Sequence, residues 1–135
     1  MTHLLDTSAL LAHYLAEPGV GQVQALFEDQ TVVAGTSVLA LFEFDLRLHQ
    51  LGVDAPTRAT ELNRYRALLS EVANVDEAVR SEGVRLRTSS SARVAAMDVL
   101  IAATASLRGA TLVHRDPHFA AIPPQLLRQL LLPAK

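Results

Sequence analysis

Short apolar runs alternate along the chain with longer segments in which apolar positions return every three or four residues, the mark of strands alternating with amphipathic helices. The first run predicts a strand at 3–5, with Thr7 or Ser8 capping a helix that extends to 16. "EPG" at 17–19 breaks it, and a second helix fits 20–28. "TVVAG" (31–35) reads as a buried strand, and "TSVLALFEFDLRLHQL" (36–51) as a capped helix stopped by Gly52. Asp54 caps a helix over 55–69 with Pro56 in its first turn, and "EVANV" (71–75) is strand-like. Asp76 caps a helix to the late 80s, and "RLRTSSSAR" (85–93) reads as a helix end plus loop. An alanine-rich helix at 97–109 leads to a strand at 110–114, a turn at "RDPHF", and a last strand within 126–132. Strands separated by helices predict one α/β domain over 1–135, a parallel sheet of four to five strands flanked by helices.

Composition narrows the chemistry. Hydrophobic residues make up 50% of the 135 and charged residues 19%, enough for a packed core. The absence of cysteine excludes disulfides, thiolate metal sites and a cysteine nucleophile. With no signal-like N-terminus and no long uncharged apolar stretch, the sequence reads as a cytoplasmic, soluble chain with no membrane partner. A net charge of −2 predicts no general attraction to nucleic acid, so any such contact has to be local.

Four acids fit poorly with their surroundings. Asp6 interrupts "LLDTSALL", Glu43 lies inside "LALFEFDL", Asp98 precedes "VLIAATA", and Asp116 follows the strand "TLVH". An unpaired buried carboxylate costs several kcal/mol. In a parallel sheet, however, the carboxyl ends of the strands border a crevice where ligands bind. Each acid has a plainer reading: a turn acid for Asp6, an N-cap for Asp98, a turn pair with Pro117 for Asp116. Glu43 has none, whereas Asp45, rotated by roughly 200° on the same helix, reads as surface. If the four converge they repel one another, and a divalent cation relieves that repulsion. An all-oxygen donor set without cysteine suits Mg²⁺ or Mn²⁺.

The segments "LLDTSALL", the embedded Glu43, "MDVLIAATA" and "TLVHRDPHF" resemble, in this order, the signature segments of PIN-domain nucleases, and most of all the VapC-type toxins of toxin–antitoxin pairs. The resemblance spans nearly the whole chain. It implies a Mg²⁺- or Mn²⁺-dependent endoribonuclease, a homodimer, an RNA substrate and a small antitoxin partner. It places Asp6, Glu43, Asp98 and Asp116 at the family's catalytic, metal-binding positions, and Thr7 or Ser8 at its hydroxyl position. Two residues depart from the pattern: His114 stands where threonine or serine is usual, and Ala40 where threonine is common. A catalytically silent PIN scaffold that binds RNA or protein is the alternative.

Thr7, Ser8 and His114 are therefore candidate substrate contacts, His114 with a structural role as its other reading. Arg80, Arg85, Arg87 and Arg93 have a single acid, Glu82, between the first and last of them. They form either a phosphate-binding edge, with Arg85 and Arg87 as the chosen contacts, or a solvated helix face. With 4% aromatic residues and no tryptophan, an extended base-stacking platform is excluded. The helices at 37–69 carry more apolar residues than one buried stripe needs, which predicts a partner surface there.

Overall fold

In the computed structural model, which describes all 135 residues, the strand predicted at the N-terminus becomes the centre of the sheet. The elements run β1 (His3–Leu5), α1 (Thr7–Tyr14), α2 (Val20–Glu28), β2 (Ala34–Ser37), α3 (Val38–Gln50), α4 (Ala55–Leu68) and β3 (Glu71–Ala73). They continue with α5 (Glu77–Ser89), α6 (Ala96–Leu107), β4 (Thr111–His114), a 3-10 helix (Pro117–Ala121) and β5 (Gln129–Leu131). All neighbouring strands pair in parallel, in the order β3-β2-β1-β4-β5. Register sets Leu5 beside Thr36 on one side and Val113 on the other.

Alternation along the strands sends successive residues to opposite faces. Leu4 and Leu112 pack with Ile101, Ala102, Val79 and Leu86 of α5 and α6. Leu5 and Val113 pack with Leu10, Phe44, Leu48 and Tyr65 of α1, α3 and α4. The sheet is thus buried on both faces, as all-parallel sheets are. No helix is long and apolar enough to cross a membrane.

The element displaced furthest from its predicted place is β2. β2 begins at Ala34 and extends through Ser37, beyond the predicted glycine end, because Thr36 is satisfied inside the sheet: its hydroxyl donates to the Leu5 carbonyl at 2.6 Å. Ser37 ends the strand and also caps α3, accepting from the Leu39 amide. α5 ends at Ser89, in the late 80s as the sequence predicts, so that "RLRTS" is its last stretch and the loop follows; the Thr88 and Ser90 hydroxyls donate back to the Val84 and Leu86 carbonyls. Gly52 follows α3 at φ +87°, a conformation that other residues adopt only with strain.

Candidate active site

β1 is the strand at which the chain changes direction of travel across the sheet: β2 lies on one side of it and β4 on the other. Helices leaving adjacent strands in opposite directions open a crevice at their carboxyl ends. Asp6 is the first residue after β1, and Asp116 lies two residues past the end of β4.

Asp6 is buried and N-caps α1, accepting from the Ala9 amide at 3.0 Å and from the Ser8 hydroxyl at 2.6 Å. Burial pushes its carboxyl up to about 7; the Ser8 and Ala9 bonds oppose this, and the charge of Asp98 adds to it. Asp98 stands in the first turn of α6, half-buried, and is not the N-cap, a position held by Ala95 with no side-chain bond. Burial first, then the charges of Glu43 and Asp116, raise the Asp98 carboxyl above the usual range, with His118 opposing. Asp116 caps the 3-10 helix, accepting from the His118 amide at 2.9 Å and facing that residue's Nδ1 at 2.8 Å.

Glu43 reaches the crevice from α3, where the Thr7 hydroxyl donates to its Oε1 at 2.8 Å. Ser8 links two acids' supports: its oxygen accepts the Arg115 amide at 2.9 Å while its proton goes to Asp6. Thr7 and Ser8, the sequence's candidate substrate contacts, have their protons committed to carboxylates. All four acids are thereby brought to one crevice, near enough to act on one another's charge through Asp98. No three acidic or histidine side chains are drawn close enough to grip a single ion directly as they stand. The donors themselves fit a hard cation, being all carboxylate oxygens with two of them already resisting ionisation. An ion that keeps several of its waters, as Mg²⁺ does, suits acids spaced in this way.

The other candidates lie elsewhere. His114 is buried between β4 and β5: its Nδ1 accepts the Asp116 amide at 3.0 Å, and Nε2 meets Gln129 Oε1 at 2.9 Å. Burial lowers its pKa, so the ring is neutral, and it orients the Asp116 loop from behind. Asp45 points away from Glu43 and pairs with Arg58 at 2.9 Å, and Phe119 is buried in the core. Arg85 is held by both oxygens of Glu82 at 2.6 and 2.8 Å, whereas Arg87 is exposed.

Sequence reasoning missed Arg115. Its amide holds Ser8, and its guanidinium, largely buried, binds Glu17 at 3.0 Å and the Pro18 and Pro133 carbonyls. It ties the loop bearing Asp116 to the start of α2 and to the C-terminal tail. The only signal was its position beside an acid at a strand end.

Fold and crevice together define a parallel α/β protein whose acids meet at the switch point of its sheet. The chain belongs to the PIN domain family, whose model matches residues 3–123. Among solved structures, VapBC2 from Rickettsia felis bound to a DNA fragment from the promoter matches with a TM-score of 0.78 at 20% identity, covering 98% of this chain and 100% of the other. A member of the VapBC family of toxin–antitoxin systems, VapBC-5 from Mycobacterium tuberculosis, matches at 26% identity and TM-score 0.64, covering 96% and 98%. VapC20 of the same organism, described as a sarcin-ricin loop cleaving toxin, matches at 18% identity and TM-score 0.69, covering 89% and 94%. No curated protein matches the chain in sequence.

Proposed function

We propose that this chain is a Mg²⁺- or Mn²⁺-dependent endoribonuclease, the VapC-type toxin of a toxin–antitoxin pair. The observation that carries this reading is the convergence of Asp6, Glu43, Asp98 and Asp116 on one crevice, where burial first and then their mutual charge raise the Asp6 and Asp98 carboxyls. Family membership and the likeness to VapBC proteins support it. That VapC20 cleaves the sarcin-ricin loop supports RNA as the substrate.

Asp6, Asp98 and Asp116 would hold the ion, and when bound it supplies Lewis-acid polarisation of a phosphate oxygen and a lowered pKa for water. Glu43, steadied by Thr7, would hold the attacking water and take its proton as that oxygen bonds to phosphorus and the bond from phosphorus to the leaving ribose oxygen breaks, the leaving oxygen taking a proton from solvent water. Ser8 keeps Asp6 in one orientation, and His114 fixes the backbone that presents Asp116. The toxin acts as a homodimer inhibited by a small antitoxin. Val38, Phe42 and Leu46 form an exposed apolar stripe on α3, 39, 57 and 44% accessible, which suits a covering partner segment.

The test is cleavage of RNA by wild type and by Asp98→Asn, purified identically, in Mg²⁺, in Mn²⁺ and in excess EDTA. Cleavage is expected only from the wild type with metal. Equal cleavage by both proteins, or persistence in chelator, overturns the reading. RNA binding without any cleavage would instead favour a silent PIN scaffold.

A further inference from the structure

On the other face of the sheet, α5 and α6 leave a groove of about 510 Å³ between them, a size typical of ligand sites. Residues 80, 83, 84, 87 and 88 of α5 form one helical face along it, and Arg93, Val94, Ala96, Val99 and Leu100 close it. Gly83 explains the close approach of the two helices: a Cβ there would lie 3.1 Å from Leu100 Cδ2. A glycine weakens a helix interior, so the narrow contact is favoured here over intrinsic helix stability.

The groove combines two chemistries. Its floor is aliphatic, with Val84, Val94, Val99 and Leu100, and its rim carries the guanidinium groups of Arg80, Arg87 and Arg93. No carboxylate lines it. Arg80 is shared with Glu77, but Arg87 and Arg93 enter no ion pair, and Arg85 is held outside the groove by Glu82. Guanidinium groups recognise phosphates through paired donors and offer a plane on which an unstacked base can lie, while aliphatic side chains bury the base's apolar face. The first turn of α6 carries Ala96 and Val99 at the groove and Asp98 at the acidic crevice, so the two sites share one helical turn.

We propose that the α5–α6 groove is the track that holds single-stranded RNA beside the scissile phosphate, with Arg87 and Arg93 on backbone phosphates and a base on the Val84–Leu100 floor. This rests on the reading of the chain as a ribonuclease. A chain with a net charge of −2 needs such a local cationic path to hold a polyanion at all. A second copy of the chain is the poorer occupant, because a two-fold contact would set these arginines against their own counterparts.

The experiment is fluorescence anisotropy with end-labelled oligouridylate and oligoadenylate over a range of salt, in EDTA and, on an Asp98→Asn background, in Mg²⁺. Arg87→Ala with Arg93→Ala is expected to weaken binding at least ~10-fold and to lower the salt slope by about 1.4, or ~0.7 for each phosphate contact on a single strand. Val84→Glu, at an exposed position, should weaken it comparably. Arg66→Ala on α4 should leave it within about twofold, with melting temperatures confirming that each variant is folded. Unchanged affinity and slope in the groove variants, with Mg²⁺-dependent cleavage intact, overturn the groove and leave the nuclease reading standing. No RNA binding by the wild type in EDTA, nor by Asp98→Asn in Mg²⁺, overturns both. Intact RNA binding with loss of self-association, or of a co-expressed acidic partner, assigns the groove to a protein and overturns the proposal.

Discussion

Asp6 holds a helix cap and a place in the acidic crevice at once, and its two roles pull its proton affinity in opposite directions. The cap bonds favour the carboxylate; burial and Asp98 favour the acid and prevail, raising it from 3.8 to about 7. A carboxyl with a raised native pKa keeps its proton while the unfolded chain loses one. Its stabilising contribution is therefore complete below about pH 4 and lost as pH rises to about 7, on the order of 4 kcal/mol at most. His114 acts oppositely: its lowered pKa means stability is lost as pH falls below its ordinary value of 6.5. Asp6→Asn preserves the cap, since asparagine caps as well as aspartate, and removes the charge. The metal-free variant should be more stable than wild type near neutral pH by roughly 1 kcal/mol or more, the difference shrinking toward about pH 4, and it should not cleave RNA. Chemical denaturation across that range checks it, and a variant less stable throughout would make Asp6 a cap alone. His114→Leu should cost about 1–3 kcal/mol by stranding the Asp116 amide and Gln129, and should relieve the loss on acidification. The acids were legible as misfits in apolar runs. A turn role for Asp6 and a structural one for His114 were open to the sequence as well, but Arg115 was not, because its amide bonds Ser8 across 107 residues and leaves no local pattern.

Most elements were legible because their caps are local: Asp54, Asp76 and Ser37 each accept from a backbone amide two or three residues on. β2 shifted because polar Thr36 is paid for by a carbonyl of β1, a contact across 31 residues that periodicity cannot register. α5 ends in the late 80s where the sequence put it, its closing Thr88 and Ser90 hydroxyls bonding back to carbonyls of its own last turns. α3 shows what periodicity does register. Leu41, Phe44 and Leu48 face the core, and the surplus Val38, Phe42 and Leu46 face outward in a second stripe. Phe42→Asp with Leu46→Asp should abolish binding of the co-expressed antitoxin while leaving stability within about 0.5 kcal/mol per site. Pull-down with the antitoxin and thermal melting together read this out. Retained binding would move the partner surface off α3.

At the scale of the molecule, the fold places like charges together at the one point where its sheet reverses direction, and the rest of the structure holds them there. Thr7, Ser8, His114 and Arg115 join α1, α3, β5 and the C-terminal tail to the acids, so the repulsion cannot relax by moving one element. Such a crevice should make stability depend on a divalent cation, because binding to the folded state alone raises stability by mass action. With Mg²⁺ at a hundred times its dissociation constant the gain is about 2.7 kcal/mol. Wild type should therefore melt higher in Mg²⁺ than in EDTA, and Na⁺ of matched ionic strength should not reproduce the shift. Asp98→Asn should show a smaller shift, because Asp98 is the acid whose charge couples to each of the other three. Asp45→Asn should show the full wild-type shift, since that carboxylate pairs with Arg58 and points away from Glu43. Equal shifts in all three proteins would place the cation elsewhere on the surface, and the four acids would then be held together for some purpose other than binding metal.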